Sequence, residues 1–184
     1  MEKNVNILFY IVFNLILQST YCHSQEMKDE VEKLIKSEFG ISIKINFSKY
    51  EIEKKVSSKI EKQVNQKFFG SSVYLYQITS KEKIEGYALL DNVYGKSLPI
   101  TFIVFFDNNG NILSTNVLKY REQYGGSVKN PKWNEQFVGK NSGSSFEIGK
   151  EISSISGATI SVNSVTKGIQ KSALLIKEII ESGE

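Results

Sequence analysis

The chain has 184 residues, of which 40% are hydrophobic and 23% charged, and its net charge is +3. This length and composition predict one globular domain that can bury a core without disulfides or a structural metal. Lysines and glutamates are mixed along the chain rather than gathered in a stripe of one sign. A function in nucleic-acid binding is therefore not indicated.

The first 24 residues form a distinct segment. Lys3 precedes an apolar run over residues 5–17, and polar and small residues follow as far as Ser24. This order is typical of a secretory signal peptide, so we expect residues 1–24 to be removed during export to the periplasm or envelope. An uncleaved membrane anchor is the alternative, although the apolar run is shorter than the roughly 20 residues that span a bilayer.

Cys22 and His23 are the only cysteine and the only histidine in the chain, and both lie in this segment. If the segment is removed, the mature chain has no thiol nucleophile, no Cys/His zinc site and no Ser-His-Asp triad. Redox or other demanding chemistry would then depend on an organic cofactor or on carboxylates.

The next segment, residues 25–70, is predicted to be an N-terminal helical extension. Apolar residues at helical spacing predict helices over residues 27–39 and 48–68. Between them, residues 41–47 alternate between apolar and polar side chains, which predicts a short strand.

Residues 71–184 are predicted to form the main domain, because the apolar period changes to two at its start. Strands are expected over residues 73–78, 84–93, 99–106 and 112–120, a short helix over 134–138 and a last helix from Ser164 onward. The Asp-Asn-Asn-Gly-Asn sequence after the third of these strands is typical of a hairpin turn. The fold class is therefore α+β, with an antiparallel sheet packed against helices.

A Ser/Thr-rich loop precedes the last helix. Gly157 permits backbone conformations that other residues avoid. Thr159 would present a hydroxyl near the free N–H groups of the helix N-terminus, which favour a phosphate. Ser161 and Ser164 are candidate caps, and a plain capped helix is the alternative interpretation.

The sequence Ser-Gly-Ala-Thr-Ile-Ser at residues 156–161 resembles the flavinylation motif of the FMN-binding domain family. That family includes the flavin-carrying subunits of sodium-pumping quinone reductases and of related electron-transport complexes. The resemblance implies that Thr159 carries FMN through a phosphoester, made by a flavin transferase that uses FAD and Mg²⁺. It also implies that the recognition loop consists of Ser156, Gly157, Ala158 and Ser161.

Two upstream stretches add to the resemblance. Residues 121–126 are similar to a glutamate-containing loop that follows a strand in the family, and residues 133–140 resemble its W…QF.GK stretch. Glu122 is then a candidate ligand of the ribityl hydroxyls or a helix cap. The aromatic candidates for contact with the flavin ring are Tyr120, Tyr124, Trp133, Phe137 and Phe146. Tyr124 and Trp133 are preferred, because both lie in polar stretches.

The function implied by the resemblance is that of an exported flavoprotein. It would be an electron carrier or a redox subunit rather than a complete enzyme, and it would exchange electrons with a membrane or secreted partner. The alternative is an envelope binding module that holds FMN non-covalently or holds no flavin. A hydrolase with Thr159 as nucleophile would lack a general base.

Overall fold

The computed structural model describes residues 25–183. One compact unit begins at Ser42 and contains all the strands, and a separate unit ends at Ile41 and contains helix α1, residues 25–39. The signal peptide expected over residues 1–24 lies outside the described residues. In the part of the chain that is described, no helix is both long and apolar enough to cross a membrane.

The main unit is built on a five-stranded sheet in which each strand is antiparallel to the next along the chain. The strands are β1 (Lys44–Glu51), β2 (Ser72–Ser80), β3 (Lys83–Tyr94), β4 (Pro99–Asp107) and β5 (Ile112–Lys119). β4 is buried from Ile100 to Phe106, so both of its faces are covered, which explains its nearly continuous apolar sequence. The predicted α+β class with an antiparallel sheet is confirmed.

Helices α2 (Lys54–Val64) and α4 (Thr159–Ser182) share one hydrophobic core with the sheet. From α4, the core takes Val165, Ile169 and Ile176, which recur at helical spacing and meet strand residues such as Phe102 and Val104. A salt bridge of 2.6 Å between Lys59 and Glu178 also joins the two helices. This packing fixes α4 against the sheet, with its N-terminus at the edge where β3 and β5 end.

The segment 25–70 differs in part from the predicted helical extension. The helix expected over residues 48–68 begins only at Lys54, because residues 48–51 continue β1. The register pairs Ser48 with Leu75 and Glu51 with Ser72. These inter-strand backbone hydrogen bonds are long-range, so the local apolar spacing could not reveal them. β1 is therefore an edge strand of the main sheet.

The short helix expected over residues 134–138 lies slightly earlier. Helix α3 spans Pro131–Asn134 and a 3-10 turn follows over Glu135–Phe137. The start is fixed by Asn130, whose side chain accepts the Lys132 N–H at 3.0 Å, and by Pro131 in the first helical position.

Candidate functional site

A pocket of about 510 Å³ lies at the N-terminus of α4. Three segments line it, which are the β3–β4 turn, the loop after β5 and the start of α4; the lining residues are Lys96, Ser97, Glu122, Gln123, Tyr124, Gly125, Gly157, Ala158, Thr159, Ile160 and Ser161. The volume is in the range of small-molecule sites. The antiparallel order of the strands brings the end of β3, the start of β4 and the end of β5 to the same edge of the sheet.

Helix α4 begins at Thr159, not near Ser164 as predicted from the sequence. The first N–H bonded along the helix is that of Val162, which donates to the carbonyl of Ala158 at 2.9 Å. The three preceding N–H groups, from Thr159 to Ser161, have no acceptor within the helix, as in the first turn of any α-helix. The first turn forms here because Val162 must turn inward to the core, where it is 1% exposed.

The turn before the helix explains the glycine and the alanine of the motif. The Ala158 N–H donates to the Ile155 carbonyl at 3.1 Å, and Gly157 takes the third position of this β-turn with φ +76°. A positive φ at this position is the requirement of a type II turn, which glycine meets without strain. The Ala158 side chain is 3% exposed and belongs to the core. Ser156 and Thr159 remain exposed, and Thr159 lines the pocket.

Ser161 is held by a tyrosine rather than acting as a cap. Its Oγ lies 2.7 Å from the Tyr120 hydroxyl, which also donates to the Tyr124 carbonyl. The cap position of α4 is Ala158, which makes no side-chain capping bond. Gly125, with φ +88°, allows this approach, because a Cβ there would lie 2.6 Å from the Tyr120 hydroxyl oxygen and 2.7 Å from Ser161 Oγ.

Glu122 fastens the β3–β4 turn to the loop after β5. Its Oε1 accepts the N–H of Ser97 at 2.6 Å and that of Leu98 at 2.9 Å. These two backbone N–H groups lower the pKa of the Glu122 carboxyl below its usual value, because they stabilise the charged form. The side chain therefore caps a turn, not a helix, and it lines the pocket at the same time.

The two predicted aromatic contacts of the flavin lie in different environments. Tyr124 is 76% exposed and lines the pocket. Trp133 is 8% exposed, packs edge-on against Phe137 at 5.2 Å between ring centroids, and does not line the pocket. Its polar neighbour Asn134 suggested an exposed stretch. Asn134 is itself buried, because Thr115, Val128 and Asn130 satisfy its amide.

Lys96 is a lining residue that the sequence interpretation missed. It is exposed at the β3–β4 turn and is the basic member of the lining set. Together with the free N–H groups of the α4 N-terminus it makes the pocket suitable for an anionic group such as a phosphate. The adjacent glycine and the turn position before β4 were the available signals, but only the fold brings Lys96 to the pocket that Thr159 also lines.

Within residues 25–183, no group of three or more His, Cys, Asp or Glu side chains is arranged to hold a metal ion. Residues 95–173 match the family model described as the FMN-binding domain. The matched range begins in the β3–β4 turn and ends within α4, so it contains all three walls of the pocket. A search of the curated proteins finds no match for the chain.

Proposed function

Because the chain contains an FMN-binding domain, with FMN as its cofactor, we propose that it holds this flavin covalently on Thr159 and acts as an electron carrier outside the cytoplasm. The observation that carries the proposal is the position of Thr159. Its exposed side chain is the first of α4 and lines a pocket of about 510 Å³.

The residues of the pocket fit an FMN molecule. The N–H groups of the first α4 turn and the Lys96 ammonium are suited to the phosphate, because both favour negative charge. Tyr124 and Ile160 are exposed and apolar enough to contact the flavin ring. The bound flavin would supply the electron transfer, while these residues orient it and limit the access of water.

The covalent bond requires a hydroxyl and an activated phosphate. Thr159 Oγ1 would bond to the FMN-side phosphorus of FAD, with loss of its hydroxyl proton to a base or to water. The pyrophosphate bond would break, and AMP would leave with the bridging oxygen. We propose that a flavin transferase with Mg²⁺ catalyses the step, because residues 25–183 contain no histidine and no group of acids arranged to hold a metal ion. Glu122, the carboxylate that lines the pocket, is already bonded to two backbone N–H groups.

The extracytoplasmic location rests on the signal-like order of residues 1–24. A covalent bond would suit such a location, since an exported protein cannot replace lost FMN from the cytoplasmic pool. Tyr124 and Ile160 are exposed, so a flavin ring in contact with them would lie near the protein surface, where a membrane or secreted redox partner could approach.

The test is intact mass spectrometry after co-expression with a flavin transferase. The wild-type chain should gain the mass of one FMN phosphoester, Thr159→Ser should keep at least part of the labelling, and Thr159→Ala should lose it. Ser154→Ala is the matched control, because it removes an exposed hydroxyl from the same loop but outside the motif and the pocket, and it should keep the labelling. FMN that binds but is released on denaturation would instead support a non-covalent flavin module, and labelling of Thr159→Ala would contradict the assignment.

A further inference from the structure

We infer that the Tyr120 hydroxyl is a positioning group for flavin attachment: it binds Ser161 of the first α4 turn to the loop after β5 and thereby fixes the direction in which Thr159 points. The inference rests on the proposed function. Tyr120 itself does not line the pocket, so it would act through its two partners.

The hydrogen bonds form a directed chain. A tyrosine hydroxyl has one proton, and Tyr120 donates it to the Tyr124 carbonyl. The Ser161 hydroxyl, 2.7 Å from the same oxygen, is then the donor to Tyr120. One phenol oxygen therefore joins the α4 wall of the pocket to the wall that carries Tyr124.

Helix geometry converts this link into an orientation of Thr159. Residues two apart on an α-helix point in directions roughly 200° apart around its axis. Ser161, which is 4% exposed, and the exposed Thr159 both line the pocket, so a bond that fixes the rotation of the first turn at Ser161 also fixes the direction of the Thr159 side chain. Without the link, the first turn retains Ala158 and Val162 in the core, but its rotation and its distance from the loop are less restricted.

The loop after β5 is also adapted to this link, through Gly125 and the backbone of Tyr124. Gly125 leaves no room for a side chain between Tyr120 and Ser161, since a Cβ would lie within 2.7 Å of both hydroxyl oxygens. The same phenol holds the Tyr124 carbonyl, and so it sets the backbone from which the Tyr124 ring extends. The Tyr120 ring packs against the core, which allows the hydroxyl to be removed while the packing remains.

The experiment measures the rate of flavin transfer to Tyr120→Phe, Ser161→Ala and the double variant, at a temperature where all are fully folded. Each single variant should lower kcat/KM of the transferase for this chain about threefold to tenfold, the range expected for one lost hydrogen bond. The double variant should be no slower than the slower single variant, because both changes break the same link. Amide hydrogen exchange in residues 123–125 should accelerate in Tyr120→Phe.

Tyr94→Phe and Ser164→Ala are the matched controls. Each removes one hydroxyl, from a tyrosine and a serine that take no part in the link, and both variants should react at the wild-type rate. If folded Tyr120→Phe reacts as fast as wild type and only its melting temperature falls, the hydroxyl is merely structural and the inference is wrong. Multiplicative losses in the double variant would also contradict it. Failure of the proposed function is distinguishable, because wild-type protein would then gain no covalent flavin at all.

Discussion

The indole Nε1 of Trp133 donates a hydrogen bond of 2.9 Å to the backbone carbonyl of Ser153, three residues before the motif begins. Gln136 completes the attachment, because its Oε1 accepts the N–H of Ser153 at 2.7 Å. Both backbone groups of Ser153 are thus held by the stretch that resembles the W…QF.GK pattern of the family. This stretch anchors the loop that leads to Thr159, and it does so from outside the pocket.

Trp133→Phe should lower the free energy of unfolding by about 1 to 3 kcal/mol, because it leaves the Ser153 carbonyl without its donor and removes buried ring area. Urea unfolding followed by circular dichroism measures this loss. The fluorescence of bound flavin should stay unchanged, since Trp133 does not line the pocket. A large rise in flavin fluorescence in a folded variant would place the indole against the ring and contradict this assignment.

Tyr124→Ala should raise the fluorescence of the attached flavin, because a tyrosine ring in contact with flavin quenches its emission. The side chain is 76% exposed, so the free energy of unfolding should change by less than about 0.5 kcal/mol. Tyr94→Ala is the control, since Tyr94 is 65% exposed and does not line the pocket. Equal fluorescence in the wild type and Tyr124→Ala would exclude ring contact at Tyr124.

Gly157→Ala should destabilise the domain by about 1 to 2 kcal/mol, because alanine must adopt a φ of +76° in the turn before α4. No atom lies within 4 Å of the added Cβ, so the cost is one of backbone conformation alone. Gly143→Ala is the control, as Gly143 is exposed without a positive φ. Thermal unfolding compares the two, and equal melting temperatures would refute the requirement for glycine.

The free energy of unfolding of the domain should depend on pH, because two ionisable side chains, Asp91 and Lys171, are buried. Burial raises the pKa of Asp91 to about 6 and lowers that of Lys171 to about 8, while each charge partly offsets the shift of the other. The folded state keeps the Asp91 proton longer than the unfolded state, so stability falls as the pH rises from 4 to 6. Lys171 loses its proton more easily when folded, so stability rises again from pH 8 to 10.5.

Urea unfolding of the wild type and of Asp91→Asn between pH 4 and 7 measures the fall in stability that is assigned to Asp91. The decline in stability that the wild type shows over this range, of the order of 1 to 3 kcal/mol, should be absent from the variant. Glu85→Gln, an exposed change on the same strand, should retain it. Parallel pH profiles for wild type and Asp91→Asn would show that Asp91 titrates normally.

Residues 1–24 should be absent from the protein isolated from its native envelope, because their charge-apolar-small order is that of a cleaved signal peptide. N-terminal sequencing checks this, with a first residue of Gln25 expected. A native chain that begins at Met1 and fractionates with membranes would support the anchor instead.

Local sequence patterns were sufficient to predict four of the five strands of the sheet. Alternating apolar residues and the Asp-Asn-Asn-Gly-Asn turn placed β2 to β5 within two residues of their observed bounds, because side-chain period and turn chemistry are properties of neighbouring residues. The same patterns failed at β1 and at the start of α4. Both boundaries depend on long-range partners, which are the β2 strand for residues 48–51 and the core for Val162.

The sequence by itself determined the α+β class and the motif with Thr159, since a motif is a fixed order of residue types. Only the tertiary structure decided what surrounds that threonine. It places Lys96 and the β3–β4 turn, which Glu122 binds, at the pocket, and it joins Ser161 to Tyr120. It also buries Trp133 in the core. These contacts join segments about 20 to 60 residues apart, and packing of the strands and α4, not local preference, selects which of them meet.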